Sequence, residues 1–403
     1  MIDLIYSSFL SLISGIGWLF SPFNSKLKRI LYGQKNSKKW LKDNPTRFDY
    51  WFHCASLGEY EMIVPLAKKI KEEFPKSLMV ISFFSPSGFE NVSNPDLFEH
   101  KFYLPLDTRK NAKKTIESLG VKKVFWVKYD FWIQHLSAIK KSGCDLYLIN
   151  AHVEWNSTKG NFYRRLVLKP SLKNFDLIFQ MYETGDPWFP KNTVTTGDTK
   201  FDRTWHIAQE PFEHLQIENF SNDWPIIIGG STYEEEEILL HQLLQKYPKL
   251  KAIIAPHSVT QDRIRFIEKL FVNETTILLS KVSTKTEARI LIVDSIGLLS
   301  KIYKYGTLAI VGGGWAKGLH NILEASAHGL PVFFGPNRKN QKESQLLIEE
   351  QVAFETSSKH FTEKVTFLLE RKNEINRIKE KTSSIFEKQR GSVELVFQNV
   401  FNN

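Results

Sequence analysis

Short apolar runs alternate with amphipathic segments along most of this chain, a pattern that predicts strands alternating with helices. Helical periodicity is clearest at 59–73, 110–119 and 132–141. A first series of predicted strands comprises 50–55, 78–83, 123–127, 146–150 and 177–181. After a polar connection at 202–223, a second series comprises 225–229, 251–255, 276–279, 289–293, 307–311 and 331–334. Two such series predict an α/β chain with two doubly wound parallel sheets.

The amino terminus departs from this alternation. Residues 4–23 carry no charge and are mostly apolar, and a run of this length fits a membrane segment. Lysines and an arginine follow the run, so the positive-inside bias predicts that the body of the protein lies in the cytoplasm. Residues 1–24 are therefore expected to be a membrane anchor that spans the bilayer or lies in it. A helix packed on the body of the protein is the alternative.

Composition indicates a class of partner. The 403 residues suffice for two domains, and the net charge of +10 favours an anionic partner such as nucleic acid, a phospholipid surface or an acidic substrate. The lysines are dispersed and no recognition motif accompanies them, so nucleic acid is disfavoured. Cys54 and Cys144 adjoin apolar runs and are expected to be reduced thiols. No CxxC or HExxH spacing occurs in the sequence, so no metal site is predicted.

The segment 311–336, VGGGWAKGLHNILEASAHGLPVFFGP, is the most informative part of the chain. Three glycines follow a strand pattern and precede a helical pattern that starts near Asn321. Such glycines let a ligand approach the backbone, and the N–H groups of a first helical turn favour an anion. The side chains of Asn321 and Glu324 are three positions apart and therefore lie on the same face of the predicted helix. A carboxylate there can accept hydrogen bonds from a ribose diol. The pattern favours a nucleotide-sugar pocket, although an ordinary βαβ turn with a surface glutamate has the same spacing.

This segment and four others resemble, in order along the chain, the bacterial 3-deoxy-D-manno-octulosonic acid (Kdo) transferases. The other four read ASLGE at 55–59, YLPLD at 103–107, GDTKFD at 197–202 and GST followed by acidic residues at 230–237. The resemblance implies the GT-B architecture, in which two Rossmann-like domains enclose a cleft. It places an acceptor-binding domain at 25–205 and a nucleotide-sugar-binding domain at 206–403, whose last helix packs back on the first domain.

The implied reaction is inverting transfer of Kdo from CMP-Kdo to a lipid A precursor in lipopolysaccharide synthesis, at the cytoplasmic face of the inner membrane. The expected partners are therefore CMP-Kdo, the lipid A precursor and the membrane lipid surface, and neither a cofactor nor a metal is required. Two alternatives stay open from the sequence: a GT-B enzyme that uses a UDP-sugar, and a non-catalytic scaffold that binds a nucleotide sugar or a lipid.

Glu59 is the candidate catalytic base. It follows a predicted strand and a tight loop, and the resemblance places it where the family has its proton acceptor. The alternative is a first-turn acid that only stabilises the helix dipole. Because that dipole lowers the pKa of a carboxyl group, basicity has to come from desolvation. Ser56 and Gly58, in the same loop, are expected on the acceptor side.

Three further residues are candidates for contacts with the reacting groups. The family's acidic segment aligns with 128–134, where Lys128 replaces a glutamate and Asp130 keeps an acid. Either Asp130 stabilises the transition state in place of that glutamate, or Lys128 contacts an anionic group of the substrate. Lys200 matches the family's lysine and is implied to hold a phosphate or carboxylate as charge develops on the leaving CMP.

Donor contacts are implied on the second domain. His257 replaces a family arginine and offers fewer donors to a phosphate. The loop at 294–297 resembles one that meets the cytosine largely through its backbone, whereas the glutamates at 234–237 are expected to be structural. The predicted donor-binding residues are Pro256, His257, Ser295, Ile296, Gly297, Gly313, Asn321, Ile322, Leu323 and Glu324.

Overall fold

A computed structural model describes residues 6, 10, 12, 15–92, 95–128, 130–152, 167–183, 190–221, 224–338 and 341–402. The chain forms two compact units. The first comprises Met1–Arg203 together with Arg390–Asn403, and the second comprises Thr204–Gln389.

The first unit is built on a seven-stranded sheet with the order β3-β2-β1-β4-β5-β6-β7. Every strand pair in this sheet is parallel. The strands are β1 Tyr50–Cys54, β2 Met79–Phe83, β3 His100–Tyr103, β4 Lys123–Val127, β5 Asp145–Ala151, β6 Leu177–Gln180 and β7 Thr193–Thr195. Its helices are α1 Ser25–Asp43, α2 Leu57–Glu73, α3 Pro86–Glu90, α4 Arg109–Leu119, α5 Ile133–Lys141, α6 Lys169–Leu172 and the start of α7 Thr199–Gln209.

Helices cover both faces of this sheet because successive strand side chains point to opposite faces. Phe52 joins one hydrophobic cluster and the neighbouring Trp51 joins the other. The first cluster includes residues of α2 and of the last helix of the chain, Ser392–Phe401, and the second includes residues of α1, α4 and α5. The last helix is fixed further by Asp202, whose carboxylate accepts a 2.8 Å hydrogen bond from the Gly391 N–H.

The second unit contains another seven-stranded parallel sheet, with the order β10-β11-β9-β8-β12-β13-β14. Its strands are β8 Ile226–Thr232, β9 Lys251–Pro256, β10 Thr276–Leu278, β11 Ile290–Ile292, β12 Leu308–Val311, β13 Val332–Phe334 and β14 Ala353–Glu355. The helices after α7 are α8 Leu215–Phe220, α9 Glu234–Lys246, α10 Gln261–Leu270, α11 Leu299–Ile302, α12 Leu323–Ala327, α13 Lys342–Glu349, α14 Ser358–Leu369 and α15 Lys372–Gln389; the last helix, Ser392–Phe401, is α16. The prediction of two parallel-sheet, Rossmann-like domains is confirmed.

The amino-terminal anchor lies partly outside the described residues. Among the residues that are described, no helix is long and apolar enough to cross a membrane, and so the structure gives no support to the membrane helix expected at 1–24. Several described apolar side chains of this region are nonetheless exposed, including Phe23 at 89% and Leu19 at 74%.

Candidate active site

The strand order of the first sheet reverses between β1 and β4, and this reversal assembles the candidate catalytic residues. β1 leads into the start of α2, which carries Glu59, and β4 leads into Lys128 and Asp130. In doubly wound sheets, ligands bind outside the carboxyl ends of the strands at such a reversal. The structure therefore brings Glu59 close to Lys128 and Asp130, which lie about seventy positions further along the sequence.

Glu59 lies in the first turn of α2, which begins at Leu57 after the extended Ser56. Its carboxylate accepts a hydrogen bond of 2.5 Å from the Ala55 N–H. Burial, and next the negative charge of Asp130, raise the pKa of Glu59 to about 7, against the opposing effects of the Ala55 N–H and of Lys128. The dipole of the first turn was expected to lower this pKa, and here desolvation outweighs it.

Asp130 is held by two ring N–H groups. Trp132 donates to Asp130 Oδ2 at 2.7 Å, and His53 Nε2 lies 3.0 Å from the same oxygen. His53 is fully buried, and its Nδ1 lies 2.8 Å from Ser82 Oγ. The same oxygen accepts a 2.8 Å hydrogen bond from the indole N–H of Trp51. Because that oxygen is already an acceptor, its hydroxyl can donate to His53 Nδ1, and this leaves the His53 Nε2–H to donate to Asp130. Burial lowers the pKa of His53, which agrees with a neutral ring.

Lys128 adopts a left-handed backbone conformation at the end of β4, with φ of +58°. Its positive charge lies close enough to Glu59 to lower the pKa of that carboxyl group. Ser56 is half-buried and the neighbouring Gly58 is exposed. A Cβ atom on Gly58 would meet no other atom within 4 Å, so the first turn of α2 has open space at this residue.

Lys200 lies in a polar cluster at the start of α7. Its Nζ is 3.3 Å from Asp198 Oδ2, and its backbone N–H donates to Asp198 Oδ1 at 3.0 Å. The buried Asn150, with φ of +53°, donates to Asp198 at 3.1 Å and to Thr199 at 2.8 Å. Much of the GDTKFD motif therefore serves this internal network and the cap on α16, and Lys200 is the member with a partly exposed cationic side chain.

In the second sheet, the strand order reverses between β8 and β12. Three aromatic rings lie close together beyond the ends of β8, β9 and β12. The His257 and His320 rings stack with centroids 4.7 Å apart, and His320 Nε2 lies 3.1 Å from the Tyr233 hydroxyl. Lys317 Nζ lies 4.4 Å from the centroid of the Tyr233 ring. Burial, then His257, lowers the pKa of His320 to about 4; burial, then Lys317, lowers that of His257. Tyr233, Lys317 and His320 were not among the predicted site residues.

The glycines after β12 serve chain packing, which differs from the ligand approach expected from the sequence. A Cβ atom on Gly312 would lie 2.0 Å from the Ser231 carbonyl oxygen, and one on Gly314 would lie 2.6 Å from the Gly335 nitrogen. Gly313 has φ of +86°, a conformation that favours glycine. Its N–H donates at 2.9 Å to the buried Glu236. The loop is therefore fixed from both sides by its own unit.

Asn321 and Glu324 meet as their spacing predicts, but the helix begins later than expected. α12 starts at Leu323, and the Asn321 side chain accepts a 3.1 Å hydrogen bond from its N–H. The Asn321 amide donates to Glu324 Oε1 at 3.4 Å. Ile322 and Leu323 are fully buried, so their side chains belong to the core of the second unit. Glu324 itself is half-buried.

The other predicted donor residues lie beyond β9 and β11. Pro256 is buried at the end of β9 and the following His257 is exposed. The loop of Ser295, Ile296 and Gly297 is exposed, with Ile296 at 86%. The polar groups that this loop offers are its backbone amides and the Ser295 hydroxyl group.

The glutamates at the start of α9 divide into two pairs. Glu236 and Glu237 are fully buried, and Glu237 accepts a 2.8 Å hydrogen bond from the Thr232 hydroxyl and pairs with Arg263. Glu234 and Glu235 are exposed. Within the described part of the chain, no group of three or more His, Cys, Asp or Glu side chains is arranged to hold a metal ion.

Known proteins are similar to this chain in sequence and in fold. Residues 24–203 match the model of the family described as 3-deoxy-D-manno-octulosonic-acid transferase (kdotransferase). A 3-deoxy-D-manno-octulosonic acid transferase of Chlamydophila psittaci is 26% identical over 391 residues, covering 89% of this chain and 88% of that protein. The enzyme of the same name from Aquifex aeolicus is 28% identical, covering 83% of this chain and 90% of its own length.

Solved structures with low sequence identity share the fold. A UDP-GlcNAc 2-epimerase from Neisseria meningitidis has a TM-score of 0.62 at 13% identity, over 88% of this chain and all of that one. A glycosyltransferase from Rickettsia africae has a TM-score of 0.58 at 12% identity, over 89% of this chain and 100% of its own. At such identities the likeness establishes the fold alone.

The family match and the named relatives place this chain among the glycosyltransferases. More particularly, residues 24–203 are similar to the family of 3-deoxy-D-manno-octulosonic-acid transferases, and the resemblance predicted from the sequence motifs is confirmed.

Proposed function

We propose that this glycosyltransferase moves Kdo from CMP-Kdo to a lipid A precursor in lipopolysaccharide synthesis, with inversion at the anomeric carbon. The observation that carries the proposal is the Glu59 carboxyl group, whose pKa is raised to about 7 beside Asp130 within the segment that is similar to the Kdo-transferase family. A general base works best when its pKa lies near the working pH. The identity of the transferred sugar is inferred from the names of the relatives.

In the proposed reaction, an acceptor hydroxyl oxygen attacks the anomeric carbon of Kdo while Glu59 takes its proton. The bond from that carbon to the phosphate oxygen of CMP breaks, and its electron pair leaves with the phosphate. Attack on the face opposite the leaving group inverts the configuration. The short contact between Glu59 and the Ala55 N–H holds the carboxylate in one orientation, which favours proton transfer along a single direction.

Asp130 is proposed to supply the fixed negative charge of this site. Two ring donors hold its carboxylate, so it can stabilise the positive charge that develops on the sugar without rearranging. Lys128, whose charge also reaches Glu59, is proposed to bind an anionic group of a substrate. Lys200 is proposed to contact the phosphate or the carboxylate of the donor, with Asp198 fixing the base of its side chain.

The second unit is proposed to bind the nucleotide. His257 adjoins the stacked ring of His320, and the next residue, Asn321, contacts Glu324. Burial favours the neutral form of both histidines, so hydrogen bonds from their N–H groups replace the guanidinium charge at this position. Glu324 is proposed to accept hydrogen bonds from the ribose hydroxyls.

Replacing Glu324 by alanine is expected to weaken CMP binding by about 1.5–3 kcal/mol, the range for a hydrogen bond to a charged group. Calorimetry with CMP measures the change. Glu387→Ala removes an exposed carboxylate from α15 in the same unit and should leave CMP affinity unchanged. Equal CMP affinity in folded Glu324→Ala protein would remove Glu324 from the nucleotide site.

Incubation of the purified protein with CMP-Kdo and a tetraacylated lipid A precursor tests the reaction directly. Mass spectrometry should show the lipid gaining Kdo while CMP is released. Transfer from a UDP-sugar instead, or nucleotide binding without transfer, would refute the proposed donor or the proposed activity respectively.

We also propose that the amino-terminal segment holds the enzyme at the cytoplasmic face of the inner membrane. The exposed Leu19, Phe20 and Phe23 precede the basic helix α1, a combination that suits an anionic lipid surface. Deleting residues 1–24 is expected to release most of the protein into the soluble fraction, since about 0.8 kcal/mol is lost with each buried CH₂ group. Activity on detergent-dispersed acceptor should stay near that of the intact protein. Membrane sedimentation of the truncated protein equal to that of the intact protein would contradict this proposal.

A further inference from the structure

A cavity of about 640 Å³ lies in the first unit between α1 and α4. Three lysines of α1 and two of α4 line it: Lys38, Lys39, Lys42, Lys110 and Lys114. None of its lining residues belongs to the cluster around Glu59. The volume is within the range of small-molecule sites, about 300–1,000 Å³.

The charge of this cavity is unbalanced. Within the described parts of the chain, none of the five lysines forms an ion pair, and the one acidic residue of the lining, Glu117, lies 3.6 Å from Lys113 outside it. Burial lowers the pKa of Lys38, so its ammonium group is partly withdrawn from water. Like charges gathered in a concave surface repel one another and attract an anion.

A buried hydroxyl group provides independent evidence for a ligand. Thr115 lines the cavity and is 1% exposed, and its Oγ1 has no hydrogen-bond partner among the described residues. Leaving a buried hydroxyl unsatisfied costs about 1–3 kcal/mol. A ligand oxygen in the cavity would supply the missing partner.

The walls of the cavity are fixed. In α1, Gln34 donates to the Leu104 carbonyl at 3.0 Å, and Ser37 accepts a 2.8 Å hydrogen bond from the Tyr103 N–H. α4 is capped by Thr108 and ends at Gly120, which has φ of +54°. The cavity is therefore held open between two helices that are anchored at separate points.

The lining combines ammonium groups with an apolar floor of Leu41, Pro45 and Pro105. A phosphate group has several strong acceptor oxygens that suit lysine charges, and apolar side chains suit the carbon chain next to it. α1 also continues directly from the exposed apolar residues that end at Phe23. We infer that this cavity binds the phosphate head group of an anionic membrane phospholipid, at a place distinct from the Glu59 site.

Calorimetry on the full-length protein tests this site with three soluble probes: dihexanoyl phosphatidic acid, dihexanoyl phosphatidylcholine and inorganic phosphate. The phosphatidic acid is expected to bind at least about tenfold more tightly than either of the others, because only it combines an uncompensated phosphate with acyl chains. The triple variant Lys38→Gln, Lys42→Gln, Lys114→Gln should lose this binding. Thr115→Val, which replaces the hydroxyl group with a methyl group, should weaken it while the melting temperature stays the same or rises.

A triple variant of exposed lysines elsewhere in the first unit, Lys76→Gln, Lys141→Gln, Lys173→Gln, provides the matched control and should bind like the wild type. Equal loss in this control would mean that net charge alone attracts the lipid, and the site would be rejected. Inorganic phosphate binding as tightly as phosphatidic acid would reject the lipid source. Full binding by the folded Lys38, Lys42 and Lys114 variant would also overturn the assignment.

Discussion

Glu59→Gln is expected to lower the turnover number by about a hundredfold or more, the usual contribution of a general base. Glutamine keeps the shape of the side chain, and its amide oxygen can still accept the hydrogen bond from Ala55, but it cannot take a proton at neutral pH. Single-turnover transfer measured with CMP-Kdo and lipid acceptor isolates the chemical step. CMP affinity should not change, because Glu59 is proposed to act on the acceptor hydroxyl group and is not among the proposed nucleotide contacts.

The stability of this variant separates catalysis from a structural role. The folded-state pKa of Glu59 is raised above its ordinary value to about 7, so ionisation of Glu59 destabilises the folded protein as the pH rises towards and through 7. Glu59→Gln removes this penalty, and its melting temperature at pH 8 should equal or exceed that of the wild type. A first-turn acid with only a structural role predicts the reverse, a lower melting temperature with near-normal rate. Glu72→Gln, an exposed acid near the end of the same helix, provides the control.

Asp130→Asn is expected to give the second-largest effect, a fall in turnover of at least about tenfold together with a shift in the pH profile. The wild-type rate should rise with pH as Glu59 loses its proton, with a midpoint near 7. The charge of Asp130 raises the pKa of Glu59, so its removal should move that midpoint to lower pH. Transfer rates measured from pH 5 to 9 give both quantities.

The direction of the shift identifies the interaction. If Asp130 served only to fix His53 and Trp132, its substitution would lower the melting temperature and leave the midpoint where it is in the wild type. Asp43→Asn changes an exposed acid of α1 and should alter neither the rate nor the midpoint. An unchanged midpoint in folded Asp130→Asn protein would rule out the proposed coupling between the two carboxyl groups.

Much of the fold could be predicted because its central strands are buried on both faces and read as continuous apolar runs. β1, β4, β8, β9 and β12 all lie within predicted strands or differ from them by a few residues. The strands β3, β7 and β14 were not predicted. Each lies at the edge of its sheet and has only three or four residues, so backbone pairing defines it more than an apolar pattern does.

For the candidate site, the sequence predicted single residues but not the partners that hold them. The motifs indicated Glu59, Asp130, His257 and Glu324, but nothing in local spacing connects His53 to Asp130 or His320 to His257. These pairs form because the strands that carry or precede the paired residues end at the same edge of a parallel sheet. The sequence pattern attributed the glycines after Val311 to the approach of a ligand, and only the fold shows that Gly312 and Gly314 also pack against Ser231 and Gly335, which come from distant parts of the chain.

The sequence by itself determined the alternation of strands and helices, the two Rossmann-like domains and the resemblance to Kdo transferases. Periodicity and local motifs depend on residues that are close together in the sequence, so they can be recognised without the structure. Only the tertiary structure decided that Glu59 has a raised pKa, that a buried histidine holds Asp130 and that five lysines line a cavity between α1 and α4. Desolvation and charge coupling depend on which groups fold around a side chain, and residues distant in the sequence supply those groups.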